Sequence, residues 1–211
     1  MTGEEYYEKA REFTDELEIE KAVEYLDKAD ELGYNSADIW CERAAIQEIK
    51  EDFDTALEYY NKALEFDNSH IEALLCKGLI LDEADKPDQA LVCFDKVLEI
   101  DANNVDAVFY KANALFTAEK YELALELYDK VNKLDPEDKA VFFFKGCAYS
   151  ELDKFEPAIE CFDIVLEEDP EFVEAIILKA DAFFALGRDM EADELMKKAK
   201  DIDPDYDPYE V

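Results

Sequence analysis

Residues able to do covalent or metal chemistry are few in this chain and poorly spaced for it. The only histidine, His70, falls in a predicted turn, with no second histidine and no cysteine next to it in the sequence. The five cysteines, Cys41, Cys76, Cys93, Cys147 and Cys161, are odd in number and never stand in a CxxC spacing. Zinc sites and redox motifs need paired ligands or thiols at short range, so these read as reduced, small apolar residues. With 57 Asp and Glu, acid pairs are expected on any solvated helix face. There is no glycine-rich phosphate loop, no HExxH and no nucleophile elbow. The expectation is no catalytic residue, no metal and no cofactor.

One charged pattern is regular. Lys9, Arg43, Lys77, Lys111, Lys145 and Lys179 recur every 34 residues. In a chain of formal net charge −35 the ladder has two readings. It pairs with acids of an adjacent helix, the recurring Asp67, Asp101, Asp135, Asp169 and Asp203 among them, or it binds anions. Pairing is the expected role, and exposed pairs contribute only about 0–1 kcal/mol each. The same net charge argues against nucleic acid, whose binders need Lys and Arg to displace phosphate counterions, and against anionic membranes. It favours basic partners, because a negative field speeds their encounter. No segment approaches the roughly 20 apolar residues of a membrane span. The opening MTGEEYYEKAREF is acidic and lacks the basic-then-apolar order of a secretory leader, so a cytoplasmic location is expected.

The elements that position these residues emerge from counting. Ala22, Ala56, Ala90, Ala124, Ala158 and Ala192 stand 34 apart. Twelve residues before each lies Ala10, Ala44, Gly78, Ala112, Gly146 or Ala180, and four residues after each lies Leu26, Tyr60, Phe94, Tyr128, Phe162 or Met196. Small residues let two helix backbones approach, and a bulky residue one turn on fills the neighbouring gap; spacings of three and four keep both on one face. The pattern predicts two antiparallel helices per repeat, A and B, over about Ala37–Ile49 and about Phe53–Phe66 in the second. Pro136, Pro170 and Pro204 follow helix B, where a helix cannot continue. Pro87 and Pro157 fall in its first turn, where a missing N–H costs little. Ser36, Ser69, Asn104 and Asp138 are expected N-caps. The repeats run at about 3–36, 37–70, 71–104, 105–138, 139–172 and 173–206, one continuous domain over 3–206, with a short acidic tail at 207–211. Asp193 and Lys200 replace apolar residues in the last repeat, as a polar terminal cap requires.

The segments TALEYYNKALEFD, LALELYDKVNKLDP and PAIECFDIVLEEDP resemble the tetratricopeptide repeat family, with Tyr6, Trp40 and Phe142 at its leading aromatic position. Gln47, Asn68, Ala102 and Asp189 depart from the pattern. The resemblance implies an all-α, right-handed α-solenoid whose A helices line a concave groove, and a non-catalytic scaffold that binds a protein or peptide there. The inward positions it implies are Cys41, Ala45, Leu75, Leu79, Phe109, Asn113, Phe116, Phe143, Cys147, Ile177 and Phe184. They form an apolar, partly aromatic floor with an acidic edge of Asp38, Glu72, Asp106 and Glu174, interrupted at Ala140. An apolar strip of this kind marks an interaction site and suits an amphipathic, basic-flanked segment; homo-oligomerisation through the same surface is the alternative. The family's carboxylate clamp for Hsp70 and Hsp90 tails needs Lys, Asn, Asn, Lys and Arg in the positions held here by Cys41, Ala45, Cys76, Asp106 and Tyr110, so those tails are not expected partners.

Overall fold

The computed structural model describes residues 1–204, so the expected tail at 207–211 lies outside the described residues. Among the described residues there are twelve α-helices and no strand. They gather into two compact units, Met1–Ala102 and Asn103–Val211. The first holds α1 (Gly3–Asp15), α2 (Ile19–Glu31), α3 (Ala37–Ile49), α4 (Phe53–Phe66), α5 (Ile71–Glu83) and α6 (Pro87–Ile100). The second holds α7 (Val105–Thr117), α8 (Tyr121–Leu134), α9 (Val141–Glu151), α10 (Phe155–Glu168), α11 (Val173–Ala185) and α12 (Asp189–Ile202). The predicted bounds of α3 and α4 agree with those observed. Odd-numbered helices are the A helices and even-numbered ones the B helices.

Each A helix turns into its B helix through three residues, and the middle one has a left-handed backbone. These are Leu17, Glu51, Asp85, Glu119 and Asp153, with φ of 55–59°, and Gly187 at 70°. The reversal lets the next amide reach back to the helix, as Glu18 N does to Phe13 O at 2.8 Å and Lys120 N to Leu115 O at 2.8 Å. This Schellman-type closure satisfies carbonyls that the helix end would leave bare.

The alanine and glycine columns lie fully or nearly fully buried in the contact between paired helices. Gly78 and Gly146 are required by their partners. A Cβ at Gly78 would lie 2.5 Å from Phe94 Cε1, and one at Gly146 would lie 2.5 Å from Phe162 Cε1. Ala44 and Ala112 occur where the ring is a tyrosine, and each of those rings is tied by its hydroxyl. Tyr60 donates to Glu48, and Tyr128 donates to Asn113 at 2.8 Å.

Four rungs of the basic ladder pair backward, with partners other than the expected acids. Arg43 binds Asp27 and Asp30 at 2.9 Å each, Lys77 donates to Asn61 at 2.6 Å, Lys145 binds Asp129 at 2.6 Å, and Lys179 binds Asp163. In each case the partner that recurs along the ladder stands 16 residues earlier, on the preceding B helix, one residue beyond the large apolar core position. Asp67, Asp135 and Asp169 instead accept amides of their own turns, from Ser69, Glu137 and Glu171. A short carboxylate beside a turn is best satisfied locally, which leaves the helix-borne acid, or Asn61, to reach the next repeat.

Capping also departs in detail from expectation. Ser36 and Asn104 cap α3 and α7, whereas His70, not Ser69, caps α5. Asp138 bonds the amide of Ala140 at 2.8 Å, and α9 starts beyond it at Val141 with no side-chain cap.

Candidate functional site

In the second unit, α7, α8 and α9 enclose a hollow of about 300 Å³. Asn113, Phe116 and Thr117 come from α7, Tyr128 from α8, and Phe143, Phe144 and Cys147 from α9. Helical spacing places the contributors from one helix on one face: Asn113, Phe116 and Thr117 are three and four apart, and so are Phe143, Phe144 and Cys147. Asn113 is fixed by its bond from the Tyr128 hydroxyl, which leaves its amide nitrogen as the group able to donate to a bound chain. The aromatic wall is continuous. Phe109 meets Phe144 edge-on at 5.1 Å, Phe144 stacks with Tyr128 at 6.1 Å, and Phe143 meets Phe144 at 5.5 Å and 83°.

The Phe143–Phe144 ridge also walls a second hollow of about 380 Å³ in the same unit. Its remaining lining is Asp138, Lys139 and Ala140 before α9, Val165, Glu168 and Asp169 at the end of α10, and Phe172.

Of the residues assigned to the groove, Asn113, Phe116, Phe143 and Cys147 come together in the first hollow. Phe109 is not in its lining but is half-buried against Phe144, and Phe184 on α11 is 41% exposed. Ala45, Leu75 and Leu79 are half-buried on A helices of the first unit. Two assignments are corrected. Cys41 is 4% exposed and Ile177 6%, so neither presents a surface to a partner. Cys41 packs with Tyr60, Ala73 and Cys76, and Ile177 packs against Ala199, Leu195 and Met196 of α12. Of the acidic edge, Glu72, Asp106 and Glu174 are exposed, while Asp38 is half-buried and engaged by His70. Tyr128, Phe144 and Phe172 were not anticipated. Phe144 was legible as the third member of the run Phe142, Phe143 and Phe144; Phe172 sits in a loop that helical periodicity does not index.

His70 does have a cysteine partner in space, which sequence separation concealed. Ligand atoms of Cys41, His70 and Glu72 lie within 4.8 Å of one another. The hydrogen bonds around the imidazole are set for a different task. Nδ1 accepts from the Ala73 amide at 3.1 Å, which caps α5 and puts the ring proton on Nε2, 3.1 Å from Asp38 Oδ1. A metal at Nε2 would need that proton moved to Nδ1, against the Ala73 N–H. Metal-binding imidazoles have the opposite polarity, donating from their second nitrogen. The thiols are equally unsuited to chemistry at neutral pH. Burial raises Cys41 far above its ordinary range, and Cys147 and Cys161 to about 11, so the nucleophilic thiolate is scarce. On α3 and α5 of the first unit and α9 of the second, Glu48, Asp82 and Ser150 occupy one repeat position. Glu48 accepts from Tyr60, while Asp82 Oδ1 and Ser150 Oγ are buried with no hydrogen-bond partner.

Sequence profiles described as tetratricopeptide repeat match residues 37–70 and 145–207, and one described as anaphase-promoting complex, cyclosome, subunit 3 matches residues 83–163. No curated protein matches the chain in sequence. Among solved structures, that reported for the functional characterisation of Pseudomonas aeruginosa pilF is 17% identical, covers 97% of this chain and 93% of its own, and superposes with a TM-score of 0.81. MamA 41-end from Desulfovibrio magneticus RS-1 is 22% identical over 81% of this chain and 97% of its own, with a TM-score of 0.75. YrrB, described as a TPR protein with an unusual peptide-binding site, is 25% identical over 86% of this chain and 93% of its own, with a TM-score of 0.70. All share the all-α helical-repeat fold. No helix among the described residues is long and apolar enough to cross a membrane.

Proposed function

Because the chain is a tetratricopeptide-repeat protein, we propose that it is a non-catalytic protein–protein interaction scaffold that takes an amphipathic, basic-flanked segment into the hollow of α7, α8 and α9. The observation that carries this reading is the hollow itself: an aromatic wall, a half-buried Phe116 and one oriented amide, Asn113. An apolar cleft with few placed polar groups is the ordinary form of a binding site. A helix or extended segment would rest apolar side chains on Phe116 and Phe143 and take a backbone hydrogen bond from Asn113. The net charge of −35 would hasten the approach of a basic partner, while the rings supply most of the affinity. The peptide-binding site in the description of YrrB is consistent with such a role.

The test is affinity capture from native lysate with the full chain, followed by calorimetry on the segment recovered. Phe116 is the cleanest probe, because its one close ring contact among the described residues is Tyr121 at 5.2 Å. Phe116→Ala should weaken binding by roughly 2 kcal/mol or more, as truncated aromatic anchors commonly do, and Asn113→Ala should weaken it with helicity unchanged. Phe109→Ala with Phe143→Ala should weaken it too, but those rings brace Tyr128, Phe144, Phe162 and Phe172, so part of that effect would be lost stability. Normal binding by folded Phe116→Ala would move the partner to another face. A mass that rises with concentration, and falls in Phe116→Ala, would make the partner a second copy of this chain.

A further inference from the structure

The second hollow arises where the repeat breaks. Ala37, Ile71, Val105 and Val173 begin their A helices, and the next residue in each is an acid: Asp38, Glu72, Asp106 or Glu174. At the matching place stand Lys139 and Ala140. The apolar residues are buried or half-buried there, whereas Lys139 is exposed, and α9 starts at Val141, with 11 residues against 13 in α1, α3, α5, α7 and α11. The displaced chain is held as a turn, with Asp135 Oδ1 accepting from Glu137 and Asp138 and Asp138 Oδ1 accepting from Ala140. This late start leaves the hollow beside the rings of Phe143, Phe144 and Phe172.

What is uncovered has two chemistries. The floor is aromatic: Phe143 lies 5.0 Å from Phe172 and stands nearly perpendicular to Phe144. The rim carries three carboxylates, Asp138, Glu168 and Asp169, against one ammonium, Lys139. Glu168 ends α10 and Asp169 is its C-cap, so the negative end of the helix dipole adds to the field. A ligand for this shape needs an apolar stem for the rings and a cation for the rim. Ring faces attract cations, and a guanidinium stacks on them, is weakly hydrated and matches a carboxylate with two parallel bonds, as an ammonium does not.

We propose that the hollow between the α8–α9 turn and the end of α10 is a socket for an arginine side chain of a partner segment. It shares Phe143 with the groove positions, extends past them, and supplies the basic-flank specificity of the scaffold reading, on which it rests. A segment seated on Phe116 and Phe143 would cross the Phe143–Phe144 ridge and drop its arginine into the socket.

The experiment titrates the full chain with blocked tripeptides Ala-Xaa-Ala, where Xaa is arginine, lysine or norleucine. The phenylalanine ring signals are followed by NMR at fixed ionic strength. Arginine should shift Phe143, Phe144 and Phe172 in a saturable way, at least threefold more tightly than lysine, with norleucine leaving them in place. Glu168→Gln with Asp169→Asn keeps side-chain shape and the acceptor for the Glu171 amide, and should weaken arginine at least tenfold. Equal shifts by norleucine or by lysine, no saturable shift by arginine, or unchanged affinity in the Glu168/Asp169 variant would each overturn the socket. Phe116→Ala lies outside this hollow, so it should leave the arginine titration intact while losing the natural partner. Failure of the socket and failure of the scaffold reading therefore show up in different variants.

Discussion

At the scale of single residues, the close approach of paired helices depends on matched sizes. Phe94 and Phe162 lean over Gly78 and Gly146 so closely that one methyl group has no room. Gly146→Ala gains helix propensity of about 1 kcal/mol, but forcing a buried ring off its rotamer costs roughly 1–3 kcal/mol, and packing should win. Denaturant unfolding should show Gly146→Ala less stable than wild type, and adding Phe162→Leu should recover part of the loss. Purely additive effects of the two substitutions would mean that they do not share the contact. The size columns themselves were readable in the sequence. Their pairing was not, because neither column states which way its rings lean. The same limit explains Cys41 and Ile177: repeat position gives the face of a helix, whereas depth depends on the bulk of neighbours such as Tyr60 and Met196.

At the scale of elements, the six A-to-B turns solve one geometric problem with largely unsuitable residues. Five of the six left-handed positions carry a side chain, and Leu17 is the extreme case: φ is 59° and the residue is 68% exposed, so it has little packing to lose. The left-handed conformation costs an L residue roughly 1–2 kcal/mol, partly offset in glycine by greater freedom when unfolded. Leu17→Gly should therefore stabilise the chain by about 0.5–1 kcal/mol, read as a higher denaturant midpoint at unchanged slope. A lower midpoint would show that the leucine contributes contacts worth more than its strain. Helix bounds were legible in α3 and α4 because alanine spacing and caps agreed. They failed at α9, where Lys139 and Ala140 sit in otherwise regular columns. The departure was visible, but not whether the helix would tolerate it or yield.

At the scale of the molecule, acidity sets how stability depends on pH. Glu42, Glu48, Asp82 and Asp181 are all held above the usual carboxylate range, chiefly by burial. A raised folded pKa means that the folded chain keeps the proton to higher pH than the unfolded chain does. The stability these four contribute is complete below the ordinary values, 4.5 for Glu and 3.8 for Asp, and is lost as pH rises through the folded ones. Asp67 and Glu191 act oppositely: hydrogen bonds from Ser69 and Arg188 lower them, so their share is lost only as pH falls through those lowered values. A net charge of −35 adds self-repulsion that protonation relieves. Going from pH 7 to pH 5 at constant ionic strength should raise Tm by several degrees, since about 1 kcal/mol moves a chain of this size by roughly 2–4 °C. A falling Tm over that interval, by calorimetry, would contradict this.

The pairing of glycine with phenylalanine and alanine with tyrosine also limits how a gene of this kind can lengthen or shorten. Suppose unequal crossing-over joined residue 118 to residue 153. The period, the hydrophobic pattern and both helix lengths would survive, yet Ala112 would inherit Phe162 in place of Tyr128. Its methyl group would then stand where Gly146 leaves space for that ring. A breakpoint between pairs, joining 136 to 171, removes Gly146 and Phe162 together and leaves every surviving ring with its own small partner. Viable breakpoints therefore belong in the loops after B helices, and the heritable module is the hairpin held by a three-residue turn.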